Sequence, residues 1–142
     1  MKLLRHRIVV ATSAPIQLLD LTAEIRGWVA TSGVREGLLT VLSIHTTARV
    51  TLNESDARLQ QDMVTFLAHV APSDASYAHN AVTVDDRPNA HAHLLGLFLN
   101  ASESIPIADG ALLMGDWQSI FFVELDGPRA RRELQLQIMG VA

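Results

Sequence analysis

Near its end the chain alternates without a break: Glu133, Gln135 and Gln137 are polar, and Leu134, Leu136 and Ile138 between them are aliphatic. A period of two sends the two sets to opposite faces of an extended backbone. Residues 133–139 therefore predict a strand in a sheet with one wet face, and such a strand needs neighbours. Residues 38–44 are apolar almost throughout, with only Thr40 and Ser43 interspersed, which suits a buried strand. Further strands are expected over 7–12, 16–21, 49–52, 104–108, 111–114 and 118–125. Asp109-Gly110 between apolar runs signals a hairpin, and Asp126-Gly127-Pro128 signals the turn joining the last two strands.

Two helices interrupt this pattern and a third is short. Ile25, Trp28 and Val29 share one face of a helix that Thr22 can cap, with Glu24 in its first turn and Gly33 after its end. Residues 55–70 carry the clearest apolar stripe, Leu59, Met63, Phe66, Leu67 and Val70. Asn53 or Ser55 can cap that helix, Asp56 suits the positive end of its dipole, and capping is the expected role of Ser55 and Asp56. Residues 90–99 predict a short helix capped by Asn89. The expectation is one α+β domain over residues 1–142, β-rich, with antiparallel sheets and two to three helices. The irregular stretch 71–89 is long for a connection inside a compact domain, and such loops are often functional.

Hydrophobic residues make up 49% of the 142, enough for a core without staples. Charged residues are only 18%, below the ~25% usual for soluble domains, which points to surface covered by other subunits. A net charge of -4 argues against nucleic acid as a partner. The absence of cysteine removes disulfides, thiolate ligands and a thiol nucleophile, and fits a reducing cytoplasm. Arg5, His6 and Arg7 break the apolar run at the start, so it makes a poor signal-peptide core. No apolar stretch approaches the ~20 residues needed to span a bilayer, so no membrane partner is expected.

Five of the six histidines lie between positions 45 and 93. His45 ends a buried strand and precedes two hydroxyl residues, Thr46 and Thr47, where it can serve as ligand, general base or phosphate donor. An equally ordinary role is a core histidine satisfied by a backbone carbonyl. His91 and His93 point the same way on an extended backbone and diverge by about 200° inside a helix. His79 precedes that pair, with Asp85 and Asp86 between. Imidazoles bind divalent metals, and a carboxylate can join the ion or orient a ring, so His79, His91 and His93 are candidate ligands for zinc or a similar ion. A set of solvated loop residues is the competing reading. His69, near the far end of the second helix, fits an ordinary surface residue. Asn53 and Glu54 can contact a ligand or serve the helix start. Arg129, Arg131 and Arg132 form a local basic group whose guanidinium forks match phosphate oxygens, or a solvated turn. Trp117 is expected in the core or at a subunit contact.

Three segments carry a resemblance: HTTARVTLNESD at 45–56, DDRPNAHAHLLG at 85–96 and SIPIADGALLMGDWQSIFFVELDGPR at 104–129. Their order and spacing resemble the YjbQ family, the UPF0047 group often labelled secondary thiamine-phosphate synthase. The resemblance implies a β-rich α+β fold assembled as a homotrimer. It implies a pocket near subunit boundaries lined by His45, Asn53, Glu54, His79, Asp86, His91 and His93. The label implies joining a thiazole phosphate to a pyrimidine pyrophosphate with loss of pyrophosphate. In this reading His45, Asn53, Glu54 and Asp86 are the candidate catalytic residues, and Arg129 and Arg131 hold the phosphorylated molecule. The chain departs from the commoner pattern at Asn53-Glu54-Ser55-Asp56, where Glu-Asn-Ala-Asp is frequent, and at Asp116, where Thr is frequent. Two other functions stay open: a non-catalytic trimeric module that binds a metal or anion, and a metal-assisted hydrolase, which suits histidine ligands better than pyrophosphate transfer does.

Overall fold

The computed structural model describes residues 1–83 and 85–142. Among the described residues eight strands and three α-helices follow in the order β1 (Lys2–Val10), β2 (Gln17–Asp20), α1 (Thr22–Thr31), β3 (Glu36–Ser43), β4 (Ala48–Asn53), α2 (Ala57–Val70), α3 (Ala90–Leu95), β5 (Ser102–Ala108), β6 (Ala111–Leu112), β7 (Ser119–Glu124) and β8 (Arg132–Val141). A single 3-10 turn, Ala78–Asn80, lies between α2 and α3. All strand pairings are antiparallel. They form a five-stranded sheet in the order β1-β8-β3-β5-β6 and a three-stranded sheet in the order β2-β7-β4. The α+β class read from the sequence is the class of the structure.

Burial follows the strand period. Leu134, Leu136 and Ile138 of β8 are buried beside Leu39 and Val41 of β3 and Ile105 and Ile107 of β5. They pack on Val50, Ile120 and Phe122 of the small sheet and on Ile25 and Val29 of α1. The other face of the small sheet offers Leu18, Phe121 and Val123, which pack with Leu125 on Ala92 and Leu95 of α3 and on Met63, Val64 and Leu67 of α2. β7 is thus buried on both faces, which is why residues 120–123 are apolar without alternation. Burying one such side chain contributes about 1.5–3 kcal/mol.

Several local expectations change. Asp56, not Asn53 or Ser55, caps α2: its Oδ1 accepts the Leu59 N–H at 2.8 Å. A short carboxylate in extended backbone reaches that amide, whereas Asn53 turns its Oδ1 onto the adjacent Glu54 N–H. Phe66 and Val70 of the α2 stripe are exposed, because the helix rests on Met63, Val64 and Leu67. Thr22 does not cap α1; its hydroxyl donates to Asp20 Oδ1 at 2.6 Å and accepts the Ile120 N–H at 2.8 Å, tying the helix start to β7. α3 ends at Leu95, four residues early, and Asn89 stands at its start with no bond from its side chain to the helix, while its carbonyl accepts the Ala92 N–H at 3.0 Å. Trp117 is 76% exposed, which removes the core reading.

Gly37 of β3 faces Gly140 of β8 in the sheet register. A Cβ on Gly37 would overlap the Met139 carbonyl and stand 2.8 Å from the Gly140 Cα. Both obstacles are backbone and cannot rotate away. Gly37→Ala is therefore expected to destabilise the chain by about 2 kcal/mol, in the range of overpacked cores. A thermal melt that shifts by less than a degree would show that the sheet absorbs the methyl group.

Candidate functional site

β3, β4, β8 and the 3-10 turn bring the polar groups together at one end of the two sheets. The Ser43 hydroxyl donates to the Ala48 carbonyl at 2.7 Å and so closes the 44–47 turn that presents His45. His45 Nε2 accepts the Glu133 backbone N–H at 2.8 Å. A backbone amide can only donate, so this nitrogen carries no proton and Nδ1 does. Beside it, Arg132 is buried and donates through Nε and Nη2 to both oxygens of the fully buried Glu124. The same Nη2 donates to Thr47 Oγ1 at 2.9 Å. Glu124 also accepts from the Thr12 hydroxyl at 2.9 Å and from the Asp126 N–H at 3.0 Å.

Asp126 organises a second layer. Its carboxylate accepts from Arg129 Nη2 at 2.6 Å, from Arg87 Nη2 at 3.1 Å and from Asn89 Nδ2 at 2.8 Å. Because the carboxylate accepts, the Asn89 atom facing it is the amide NH2. The other atom is then the carbonyl oxygen, and it faces His79 Nε2 at 3.2 Å. His79 Nε2 therefore bears the proton in this contact, and its Nδ1 keeps a lone pair. The His93 ring stands edge-on to His79, centroids 5.0 Å apart.

These groups surround one cavity of about 460 Å³, lined by His45, His79, His93, Arg87, Arg129 and Arg132 together with Thr46, Thr47, Asp85 and Asn89. Glu124 and Asp126 are not on the wall; they hold the guanidiniums from behind. All three arginines are engaged through Nε and Nη2, and among the described residues no partner meets any Nη1.

Burial and charge set the protonation states. Burial would raise both carboxyls, but the Arg132 hydrogen bond outweighs it at Glu124, and the bonds from Asn89, Arg87 and Arg129 outweigh it at Asp126. Both end below the usual range. Burial lowers His45, and the Arg132 charge lowers it further against Glu124 and Glu133. Burial and then the neighbouring His79 lower His93. Hence the two carboxylates are charged and these two imidazoles neutral at neutral pH. For His45 the sign is that of a depressed group: the unfolded side chain takes a proton first, near pH 6.5. The stability contributed by the neutral ring is complete above that pH and shrinks as pH falls towards the folded value. Urea midpoints measured from pH 7.5 down to 5.5 should fall, and His45→Gln, which keeps an acceptor for the Glu133 amide, should flatten the slope. An identical slope in the variant would assign the loss to other groups.

The other expected site residues lie elsewhere in the chain. Asn53 and Glu54 are exposed at the far end of β4, beyond a six-residue strand spanning about 17 Å. Asp86 is exposed, with φ 58, and is absent from the wall that Asp85 joins. Arg131 is exposed and pairs with Glu133 at 2.7 Å, while Arg129 lines the cavity. His91 and His93 sit in a helix, so they diverge: His91 is buried against α2, in a separate cavity of about 300 Å³ walled by Val64, Ala68 and Ala71. His69 bonds the Thr65 carbonyl at 2.9 Å on the surface. Sequence reasoning missed Arg87, Asp126 and Glu124. Arg87 stands inside the 85–96 segment, and Asp126 passed as a turn residue. Among the described residues no three histidine or acidic side chains gather in a metal-holding group. His45 Nε2 is occupied by an amide, and His91 lies in the separate cavity, away from the wall that His79 and His93 share.

The family model described as "UPF0047 protein YjbQ-like" matches residues 6–141. The chain belongs to the YjbQ-like UPF0047 family. A UPF0047 protein of Methanothermobacter thermautotrophicus is 40% identical over 140 residues, covering 99% of this chain and 94% of the relative. The UPF0047 protein YugU of Bacillus subtilis is 29% identical over 132 residues, covering 92% and 96%. A YbjQ-like protein of unknown function from Sulfolobus solfataricus superposes with a TM-score of 0.91 at 37% identity, covering 98% of each chain. A hypothetical protein from Aeropyrum pernix gives 0.89 at 40% identity, covering 96% and 98%. The UPF0047 fold is therefore shared over nearly the whole chain. Among the described residues no helix is long and apolar enough to cross a membrane.

Proposed function

We propose that the cavity binds a small phosphorylated molecule and that the chain acts on it as a transferase. The observation that carries this reading is the set of three guanidiniums, Arg87, Arg129 and Arg132, each fixed from behind by a buried carboxylate with Nη1 unused. Donors held in place before a ligand arrives suit phosphate oxygens, because little ordering remains to be done on binding. The cavity volume suits a small molecule. The neutral imidazoles supply proton transfer beside the anion. In its finer form the reading is a thiamine-phosphate-synthase-type reaction, which joins a thiazole phosphate to a pyrimidine pyrophosphate and releases pyrophosphate. A non-catalytic anion-binding module is the alternative. A metal-assisted reaction would need a ligand from another chain.

Calorimetric titration with inorganic phosphate and pyrophosphate tests the binding. Arg129→Gln should weaken pyrophosphate about tenfold to fiftyfold, the loss of one charge-assisted bond. Absence of binding at millimolar pyrophosphate would end the reading. Turnover of the two thiamine precursors, with and without chelator, separates transferase from binding module. The reading takes a homotrimer in the cytoplasm: Trp117, Leu97 and Phe98 are each more than three-quarters exposed and suit a subunit contact. Sedimentation should give three times 15.5 kDa.

A further inference from the structure

The two imidazoles whose protons the hydrogen bonds fix are set in opposite senses. His45 is held from behind by a donor, the Glu133 amide, so its remaining nitrogen Nδ1 is itself a donor. His79 is held by an acceptor, the Asn89 carbonyl oxygen, so its remaining nitrogen Nδ1 is an acceptor. Neither assignment depends on seeing a hydrogen. The first follows from a backbone N–H that cannot accept. The second follows from the Asp126 carboxylate, which takes the Asn89 NH2 and leaves only its oxygen for the ring. Asn89 is buried, so water does not compete for its amide.

Both rings line the same cavity, and so do the three arginines. Arginine and the His45 Nδ1–H can only donate, which suits phosphate oxygens. The His79 lone pair has nothing to accept from a phosphate dianion and would face it unfavourably. Resting on the reading of this cavity as a phosphate site, we propose that its ligand is a phosphate ester carrying a hydroxyl or amino group. His45 and the arginines hold the phosphate, His79 accepts the ligand's hydrogen, and Asn89 is the positioning residue that makes this orientation the favoured one. The wall then discriminates by polarity along its length: a ligand entering reversed puts its phosphate against a lone pair. His79 is exposed, so the cost arises only when a ligand covers the ring and displaces its water. An acceptor then left without a donor is penalised, which is why such sites reject analogues that lack the matching group.

Nitrogen-15 spectra of the imidazoles in the full chain test the arrangement without any mutation. His45 should show its proton on Nδ1, and His79 on Nε2. The opposite form at either ring overturns the proposal. Titration with a matched pair, propyl phosphate and 3-hydroxypropyl phosphate, reads the selectivity. The hydroxylated ester should bind about tenfold more tightly, the worth of one well-formed hydrogen bond. In Asn89→Leu the His79 ring is released, its two tautomers mix, and the ratio of the two ester affinities should fall to within about twofold, whatever the loss of one donor to Asp126 does to phosphate affinity itself. Equal binding of the two esters to the unaltered chain overturns the selectivity alone. Failure of inorganic phosphate and both esters to bind overturns the phosphate reading, and the selectivity with it, whatever the spectra show.

Discussion

Arg132→Met is expected to cost about 3–5 kcal/mol of folding stability, the largest loss from any single change near the cavity. Glu124 is fully buried and Arg132 nearly so. Taking two such charges out of water is expensive, and only their mutual bonds and the donors from Thr12 and the Asp126 amide offset it. Removing the guanidinium leaves the carboxylate with half its partners and no counter-charge. It must then stay ionised at high cost or take a proton. The matched experiment is the double change Glu124→Leu with Arg132→Met, which removes both charges and fills the space. Replacing a whole buried pair by apolar side chains is often close to neutral. Urea unfolding should therefore show a large loss in the single variant and recovery of much of it in the double. A single variant within about 1 kcal/mol of the parent would mean that water reaches Glu124 freely, and the rigid guanidinium wall would fall with it.

That ion pair also shows where a sequence stops being readable. The strands were legible because alternation and apolar runs report burial directly: Leu134, Leu136 and Ile138 are buried as their period requires. The clustering of His45, His79 and His93 was legible through density of histidine in one stretch. What failed was choice among neighbours with equal chemistry. Asn53, Ser55 and Asp56 can all cap α2, and the winner is the one whose backbone is extended with its carboxylate facing the third amide onward. Asn89 looked like a cap because Asn commonly is one, yet its amide is taken by Asp126 and His79. His91 and His93 could share a side only on an extended backbone, and the helix that starts at Ala90 separates them. Arg87 and Asp126 lie 39 residues apart, and no local pattern reports a pairing made by a turn after β7.

Asp126 is where the stability of the site and its order meet, and Asp126→Leu should cost about 2–4 kcal/mol. Three side chains donate to this carboxylate, each bond to a charged group being worth about 1.5–3 kcal/mol when well formed. The sum is not reached, because Arg87 and Arg129 are about 30% exposed and can recover water. The cost is therefore smaller than at the Glu124–Arg132 pair, though it falls on the cavity itself, since Arg87, Arg129 and the Asn89 hold on His79 are released together. A pH series adds a sign. The folded carboxyl lies below its ordinary value, so its contribution is complete above about pH 4, where the unfolded aspartate is already ionised. It disappears as pH falls through the folded value. The parent chain should lose stability steeply below pH 4, and Asp126→Leu, lacking that group, should lose less over the same interval while binding pyrophosphate at least tenfold more weakly at pH 7. Parallel acid curves for the two proteins would mean that Asp126 is not the charged anchor of these arginines, and unchanged pyrophosphate affinity would mean that their fixed orientation does not serve the ligand.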